Sequence, residues 1–386
     1  MKEFDVAIVG AGPAGSSTAI RLARQGYHVA LFDRAIFPRD KLCGDFVNPI
    51  NWPILDELAV GDELLARPHT KISTFRMSAA GGAEAISALA LPGARPFGLG
   101  LRRFHLDHVL LERTKQVGVS VQQGVKVTGV DRDSRGWRLA IDHGDHSSSA
   151  QARFLVGADG RNSLVARQLG VTSDRTQPDG AVGFEIQLEN VRALRHSVEI
   201  HQFAGGYAGL LRVDENTVNL CFTVRQSRLG RARSFEKLRQ NFLCVNSRLQ
   251  VLLNDAEPVS ALRSVWPVYF PRRRCFGAGF LLVGDAARVT EPVTGEGIFF
   301  ALRSGHLAAT TIAAALREAN LTPARLSHYD RACRREFRAR LRLNALIRLL
   351  MYRPKLLSLA TRHLGSRQPL LETLVNAVCQ PRAALG

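Results

Sequence analysis

The sequence lacks the cysteine spacing of a disulfide framework or a zinc site. Its six cysteines are scattered over 386 residues without a CxxC pair, so we expect neither disulfides nor a metal centre, and a reducing cytoplasm is the favoured compartment. The sequence also lacks a run of about 18 uncharged apolar residues, and no cleavable apolar segment precedes the first strand pattern. We therefore expect no membrane-spanning helix and no signal peptide.

Acidic residues are scarce relative to basic ones. There are 34 Asp and Glu against 52 Lys and Arg, which gives a formal net charge of +18. Such an excess attracts nucleic acid, an anionic membrane, an acidic carrier protein or a phosphorylated cofactor, and charge alone does not choose among them. Because no nucleic-acid-binding module accompanies the charge, we expect no nucleic acid partner.

Hydrophobic periodicity predicts an α/β protein. Asp5 to Val9 and His28 to Phe32 are short apolar runs, and Ala14 to Gln25 between them has helical spacing, which together predict a strand, helix, strand unit. The pattern also predicts a helix near Trp52 to Leu65 and a strand at Ser120 to Val130. From about Gly180 the pattern changes to β-like runs with one helical insert near Phe235 to Leu253, before a new apolar strand is predicted at Gly279 to Val283. The cofactor domain is therefore expected to be discontinuous, with a separate sheet inserted into it.

The first strand leads directly into the glycine-rich loop GAGPAG. Gly10 permits a tight turn, Gly12 lets the backbone approach a pyrophosphate, and Gly15 lets the helix pack closely on the strand. Asp33 ends the second strand about twenty residues later, where a carboxylate accepts hydrogen bonds from an adenosine ribose. This context indicates a dinucleotide site.

Two later segments, VGADGRNS at Val156–Ser163 and LVGDAA at Leu282–Ala287, complete a resemblance to the glutathione-reductase-type flavoproteins. They resemble the DG and GD motifs of the single-component flavin monooxygenases. The resemblance implies a glutathione-reductase-type Rossmann FAD-binding domain, an inserted antiparallel β-sheet substrate domain and a C-terminal helical tail. Asp285 would bind the ribityl chain, and the loop at Pro292–Gly297 would lie over the isoalloxazine with a helix N-terminus at its pyrimidine end. The cofactor-binding residues that the resemblance implies are Gly10, Gly12, Pro13, Ala14, Gly15, Asp33, Arg34, Cys43, Arg103, Asp159, Gly284, Asp285, Pro292, Gly295, Glu296, Gly297 and Ile298.

The segments PRDKLCGDFVNP at Pro38–Pro49 and GDAARVTEPVTGEGIFFALRSG at Gly284–Gly305 resemble the geranylgeranyl reductase family and its neighbours, the flavin halogenases and hydroxylases. Two features depart from the reductase pattern. Asp45 replaces the usual second glycine, and GYAGLLR at Gly206–Arg212 matches the aromatic-rich reductase motif poorly. The candidate catalytic residues are Cys43, Gly44, Asp45, Tyr207 and Pro292.

The expected activity is NAD(P)H-dependent monooxygenation of a hydrophobic secondary metabolite by O2 through a flavin C4a-hydroperoxide. The alternatives are a geranylgeranyl-reductase-like C=C reductase of an isoprenoid or polyene chain, a flavin-dependent halogenase, and a non-catalytic flavin-binding partner protein. A halogenase needs a catalytic lysine, for which Lys41 and Lys71 are available, but Trp52 and Trp266 lie in no Trp-rich motif. NAD(P)H is expected only as a transient reductant, because no second strand-GxGxxG-helix unit is present.

The predicted domains are a FAD-binding domain at 1–75, 100–175 and 275–322, a substrate sheet at 76–99 and 176–274, and a basic helical region at 323–386. In that last region arginines and leucines interleave at helical spacing. Such helices would lie on the inner face of an anionic membrane, pack on the cofactor domain with arginines in water, or bind an acidic carrier protein that tethers the substrate.

Overall fold

The computed structural model describes residues 2–89, 93–171, 180–230, 234–270 and 272–380. The strands in these ranges are β1 (Lys2–Val9), β2 (Val29–Asp33), β3 (Phe46–Val47), β4 (Thr70–Ile72), β5 (Thr74–Ser78), β6 (Glu84–Ala88), β7 (Gly98–Gly100), β8 (Ser120–Gln123), β9 (Lys126–Asp133), β10 (Gly136–Asp142), β11 (Ser147–Gly157), β12 (Ala181–Glu189), β13 (Ser197–Phe203), β14 (Gly206–Arg212), β15 (Val218–Arg225), β16 (Glu257–Pro258), β17 (Arg263–Val265), β18 (Phe276–Gly277) and β19 (Phe280–Leu282).

The α-helices are α1 (Pro13–Ala23), α2 (Trp52–Glu57), α3 (Gly61–Leu65), α4 (Arg103–Gln116), α5 (Leu164–Gln168), α6 (Gln226–Leu229), α7 (Phe235–Leu238), α8 (Ser247–Leu253), α9 (Gly297–Arg317), α10 (Pro323–Met351), α11 (Pro354–Gly365) and α12 (Gln368–Cys379). Short 3₁₀ turns lie at Pro49–Asn51, Gly284–Ala286 and Pro292–Thr294, and a π-helical turn lies at Arg239–Leu243.

The first sheet has the strand order β18-β19-β11-β1-β2-β8, and β10 and β9 extend it from β11. The strands β19, β11, β1, β2 and β8 are mutually parallel. Helices α1 and α9 pack against each other so closely that a Cβ at Gly305 would lie 2.6 Å from the Ala14 carbonyl oxygen. The strand-helix-strand unit predicted from the sequence is therefore present, with its core buried between helices and sheet.

The second sheet has the order β16-β12-β15-β14-β13-β5-β6, with β17 also paired to β12. One face is apolar and packs under α7 and α8, through side chains such as Phe184, Leu220 and Leu252. Because side chains alternate along a strand, the opposite face carries the intervening residues. On that face Glu185 of β12 lies directly opposite Cys221 of β15.

Three predicted elements are broken in the structure. The helix predicted at Trp52–Leu65 is two helices, because Ala59 has a φ of +59°. The strand predicted at Ser120–Val130 is two strands separated at Gly124, where φ is +71°. The helix predicted at Phe235–Leu253 is interrupted by the π-helical turn. Periodicity marked the apolar face in each case and missed the local change of backbone direction.

Helix α9 alone among the described helices is long and apolar enough to cross a membrane, and 61% of the relevant window is buried inside the protein. The tail consists of α10, α11 and α12, and the last two pack on β6. The predicted domain boundaries stay predictions. The boundary between 175 and 176 and the tail end at 381–386 lie outside the described residues.

Candidate active site

The glycine-rich loop joins β1 to the N-terminus of α1. Gly10 has a φ of +105°, and a Cβ there would lie 2.3 Å from the Ala158 carbonyl oxygen. At Gly15 a Cβ would lie 1.9 Å from the Gly10 carbonyl oxygen, so both positions require glycine. At Gly12 a Cβ would meet no atom within 4 Å, so the loop faces open space there. No side chain caps the N-terminus of α1, and its first turn has no acidic residue.

Asp33 fixes the glycine-rich loop to the end of β2. Its Oδ2 accepts a hydrogen bond from the Ala11 N–H at 2.7 Å, and its Oδ1 accepts one from the Ala35 N–H at 2.8 Å. Each carboxylate oxygen can accept a further hydrogen bond, which leaves the residue able to bind a ribose hydroxyl. The neighbouring Arg34 is exposed.

The DG loop follows β11, and its aspartate serves helix α5. Asp159 accepts hydrogen bonds from the Ser163 hydroxyl at 2.5 Å and from the Leu164 N–H at 2.7 Å. Burial raises the pKa of Asp159, although these hydrogen bonds oppose the shift. The carboxylate therefore positions the loop, and a contact of this side chain with a cofactor stays a prediction.

The GD loop follows β19. Gly284 has a φ of +56°, and its N–H donates to the Ser304 hydroxyl at 3.0 Å. The half-buried Asp285 carboxylate accepts no hydrogen bond from any described residue. Lys41 lies nearby, with its Nζ 3.8 Å from the position of a Cβ on Gly160. A carboxylate that is half-buried and free to accept is suited to a polyol chain.

Arg103 begins helix α4 and is buried. Its Nε and Nη2 each donate to the Asp107 carboxylate at 2.7 Å, and Arg39 lies 3.1 Å from the same carboxylate. Burial opposes the charge of Arg103, but Asp107 outweighs it and raises its pKa. These two hydrogen bonds form one bidentate pair, which holds the guanidinium in one orientation.

The loop Cys43-Gly44-Asp45 lies against the second sheet. The Cys43 carbonyl accepts a hydrogen bond from Asn219 Nδ2 at 2.8 Å and one from the Cys221 thiol at 3.0 Å. Burial raises the pKa of the Cys43 thiol to about 11, although the Arg103 guanidinium opposes the shift. The thiol is therefore protonated at neutral pH, so it is suited to donate a proton and not to attack as a thiolate.

This loop contains one buried carboxyl group, and a second one lies beside it. Asp45 is 2% exposed and Glu185 is 3% exposed. Burial, reinforced by the charge of Glu185, holds the pKa of Asp45 well above its usual range. Burial raises the pKa of Glu185 to about 7, and the Arg263 guanidinium, 3.8 Å away, opposes the shift. Glu185 Oε2 has no hydrogen-bond partner among the described residues.

The loop at Pro292–Ile298 enters helix α9. Gly295 has a φ of +63°, and a Cβ there would lie 2.7 Å from the Phe46 ring. The buried Glu296 accepts a hydrogen bond from Arg340 of α10 at 2.7 Å, while burial raises its pKa. At Gly297 a Cβ would meet no atom within 4 Å, so the N-terminus of α9 faces open space.

Tyr207 of β14 connects the second sheet to the segment that precedes this loop. Its hydroxyl donates to Glu291 Oε1 at 2.7 Å, and both residues are buried. Burial and the charge of Glu291 together raise the pKa of Tyr207 well above its usual range. Since its hydroxyl is already engaged, Tyr207 holds Glu291 against the second sheet, and its catalytic role stays a prediction.

Sheet topology explains why residues distant in sequence meet. The residues Gly10, Asp33, Asp159 and Asp285 follow the carboxyl ends of β1, β2, β11 and β19, which are neighbouring parallel strands. This arrangement fits a bound FAD. The backbone is open to solvent at Gly12 and Gly297, no side chain caps the N-terminus of α1, and the Asp285 carboxylate accepts no hydrogen bond from the described residues. The α1 N-terminus would hold its pyrophosphate and Asp285 its ribityl hydroxyls.

Sequence reasoning missed several polar residues beside these loops, namely Arg39, Asn219, Cys221 and Glu291, and for Glu185 it left open a pocket residue and an ordinary sheet residue. The signal for three of them was the alternation of β12 and β15, since Glu185, Asn219 and Cys221 occupy positions that interrupt apolar neighbours. Lys71 lies on the outer side of β4, with its ammonium 4.9 Å from the Phe97 ring centre.

Comparison with known proteins agrees with this geometry. A family model described as an FAD binding domain matches residues 3–343. Conditioned medium factor receptor 1 of Dictyostelium discoideum is 26% identical over 364 residues, covering 91% of this chain and 71% of that protein. A menaquinone reductase of Mycobacterium tuberculosis is 29% identical over 314 residues, covering 79% and 75%. The flavin-dependent halogenase CmlS superposes with a TM-score of 0.78 at 21% identity, covering 100% of this chain and 69% of that one.

Proposed function

We propose, from the premise that this chain belongs to the FAD-binding domain family, that it reduces a carbon–carbon double bond of a hydrophobic isoprenoid or polyene substrate. The enzyme is an FAD-dependent oxidoreductase, and the reduction is the proposal. The observation that carries it is the contact of the Cys43 loop with β15 beside the buried acids Asp45 and Glu185, where burial raises the pKa of the Cys43 thiol. A 29% identical relative is a menaquinone reductase, and menaquinone bears an isoprenoid chain.

Bound FAD would supply hydride transfer, with NAD(P)H as the transient reductant that restores it. The N-terminus of α9 at Gly297 would stabilise negative charge on that cofactor. Arg103, fixed by Asp107, adds a positive charge beside the Cys43 loop. These groups place positive charge on the cofactor side of the Cys43 loop, which would favour the reduced, anionic form of the cofactor.

Saturation of a double bond needs one proton at one carbon for each hydride delivered to the other. We assign the donated proton to the Cys43 thiol. Asp45 and Glu185 would then return a proton to the thiolate, because both carboxyl groups hold their protons to unusually high pH. In sum, one NAD(P)H and one proton are consumed for each double bond reduced.

The substrate would lie beside the contact between the sheet and the Cys43 loop, next to Gly44 and Gly209. Gly209 lies opposite Cys221, and a Cβ at Gly209 would meet only backbone oxygens at 3.9 and 4.0 Å. At Gly44 a Cβ would meet no atom within 4 Å. Two glycines with open sides leave room for a chain of carbon atoms over the sheet.

Halogenation is disfavoured by the positions of the two candidate lysines. Lys71 is exposed on the outer side of β4, away from the Cys43 loop. Lys41 lies beside Gly160 and Asp285, where we place the ribityl chain of FAD. Neither position is suited to carry an oxidised halogen to a substrate over the sheet.

Monooxygenation of the same hydrophobic substrate is the second candidate. The space is open at Gly44 and at Gly297, the two positions expected beside the isoalloxazine. This favours monooxygenation, because O2 must reach the isoalloxazine. A substrate that arrives free or tethered to a carrier protein, and a cytoplasmic location at the inner face of the membrane, belong to the same proposal.

Anaerobic turnover separates the candidates. Holoenzyme with NAD(P)H and geranylgeraniol, an isoprenoid alcohol that has no quinone ring to accept electrons, should give a product heavier by two hydrogens without O2, and Cys43→Ser should slow its formation at least tenfold. Cys244→Ser, on a loop far along the chain, is the matched control. A product heavier by one oxygen, formed only with O2, would instead identify a monooxygenase. NAD(P)H left unconsumed under both conditions would favour the non-catalytic flavin-binding partner.

A further inference from the structure

Exposed leucines are concentrated on the tail helices. Twelve large hydrophobic side chains are exposed among the described residues, and the leucines among them all lie between positions 346 and 374. They are Leu346, Leu349, Leu356, Leu359, Leu370 and Leu374, with exposures from 37% at Leu374 to 69% at Leu359. A soluble surface rarely exposes so many large apolar side chains in one segment.

The leucines form pairs on the outward faces of three consecutive helices. Leu346 and Leu349 of α10, Leu356 and Leu359 of α11, and Leu370 and Leu374 of α12 are spaced three or four residues apart, which places each pair on one helix face. The inward faces are already packed, since Leu357 and Leu371 are buried. Gly365 at the end of α11 approaches β6 so closely that a Cβ would lie 2.8 Å from the Glu84 carbonyl oxygen.

Positive charge surrounds these leucines. Residues 337–380 contain eight Lys and Arg and one acid, Glu372. Arg340 is engaged with Glu296, and Arg348 lies 4.3 Å from the Tyr269 ring centre. The other six are exposed: Arg338, Arg342, Arg353, Lys355, Arg362 and Arg367. We call the exposed leucines and these six basic residues the tail surface.

We propose that the tail surface binds a membrane that contains anionic phospholipids. The leucines would enter the boundary between headgroups and acyl chains, and the basic side chains would pair with lipid phosphates. A partner that recognises charge alone would leave the leucines uncovered, whereas an anionic lipid surface covers both kinds of side chain, so the combination favours a lipid surface. The proposal rests on the proposed hydrophobic substrate only in that such a molecule would be drawn from the same membrane.

The tail surface is connected to the active site through α10. Arg340 of this helix donates to Glu296, and Asn344 Nδ2 donates at 2.9 Å to both the Glu291 carbonyl and the Thr294 hydroxyl. The helix that begins the tail surface therefore also holds the loop that precedes α9. Docking would place that loop on the side of the protein that receives a lipid-borne substrate.

Vesicle flotation of the FAD-loaded full chain tests the proposal. The probes are phosphatidylcholine vesicles with and without phosphatidylglycerol. We expect binding to the anionic vesicles that weakens with salt, and at least a tenfold lower partition coefficient for Leu356→Ser with Leu359→Ser. The matched control is Val245→Ser with Val251→Ser, whose side chains are 56% and 63% exposed outside the tail surface.

Charge reversal gives a second comparison. Lys355→Glu with Arg362→Glu should abolish binding, whereas Arg192→Glu with Arg195→Glu, two exposed arginines elsewhere, should leave it unchanged. Absence of binding to anionic vesicles overturns the proposal, and so does unchanged binding of the leucine variant. Binding of an acidic acyl carrier protein in place of vesicles overturns it in favour of a protein partner. None of these outcomes depends on turnover, so the proposed reaction stands or fails separately.

Discussion

Asp45 accepts a hydrogen bond from the backbone N–H of Arg103 at 3.0 Å while its own backbone has a φ of +53°. The left-handed conformation fits the glycine that the resemblance to the reductase family implies at this position. The hydrogen bond explains what an aspartate adds, because its side chain satisfies a free N–H in the first turn of α4. Asp45 thereby also fixes the helix turn that orients Arg103 towards Asp107.

Substitution of Asp45 should separate these two roles. Asp45→Ala loses the cap and keeps an unfavourable φ, so the free energy of unfolding should fall by about 2 kcal/mol. Asp45→Asn retains an acceptor and tolerates the left-handed conformation, and should cost less than about 0.5 kcal/mol. Urea unfolding of the apo-protein measures both. Equal stability of the alanine variant and the wild type would contradict the role of Asp45 as a cap.

Gly12→Ala should weaken FAD binding without loss of protein stability. The added methyl group meets no protein atom within 4 Å, so it would occupy only the space assigned to the pyrophosphate. We expect the Kd for FAD to rise at least tenfold by fluorescence titration and the unfolding transition of the apo-protein to stay unchanged. Gly129→Ala, whose Cβ would lie 3.5 Å from the Ala140 side chain, is the control that should bind FAD normally.

Glu185 should impose a pH limit on the proton-dependent step. Its pKa is raised to about 7, so the acid form predominates below pH 7 and is lost as the pH rises through that value. Because each turnover needs the Cys43 thiol to regain its proton, the steady-state rate of substrate reduction should fall on the alkaline side in the wild type. Glu185→Gln should remove this limb. Arg263→Ala removes the charge that opposes the shift, and should move the limb to higher pH. An unchanged profile in both variants would exclude Glu185 from the proton supply.

The cofactor loops were predictable because their chemistry is encoded over a few adjacent residues. The positions of Gly10, Gly15 and Asp33 relative to one another are visible in the sequence, and this spacing alone predicts the loop and its contact with β2. The acid pair was not predictable in this way. Asp45 and Glu185 are 140 positions apart in the sequence, and only the docking of the Cys43 loop on β15 brings them together. The breaks at Ala59 and Gly124 were missed because periodicity reports burial and not backbone direction.

Glu199 should make the protein less stable at low pH. Burial raises its pKa, but hydrogen bonds from His201 and Arg248 outweigh burial and lower the pKa to about 2. A carboxylate with a depressed folded pKa contributes stability above its unfolded pKa, and this contribution is lost as the pH falls from about 4.5 towards 2. Loss on the order of 3 kcal/mol is expected over that range. Chemical unfolding at pH 7 and pH 3 should show a smaller difference in Glu199→Gln, and an identical difference would contradict this assignment.

Anaerobic stopped-flow mixing of photoreduced holoenzyme with geranylgeraniol, in which carbon–carbon double bonds are the electron acceptors, tests the proposed reduction most directly. If the enzyme reduces a double bond, the oxidised flavin absorbance should recover in a single phase without O2. The rate should depend on substrate concentration and should be lower in Cys43→Ser. Reduced flavin that persists without O2, and that passes through an additional absorbance transient when O2 and substrate are added together, would contradict it.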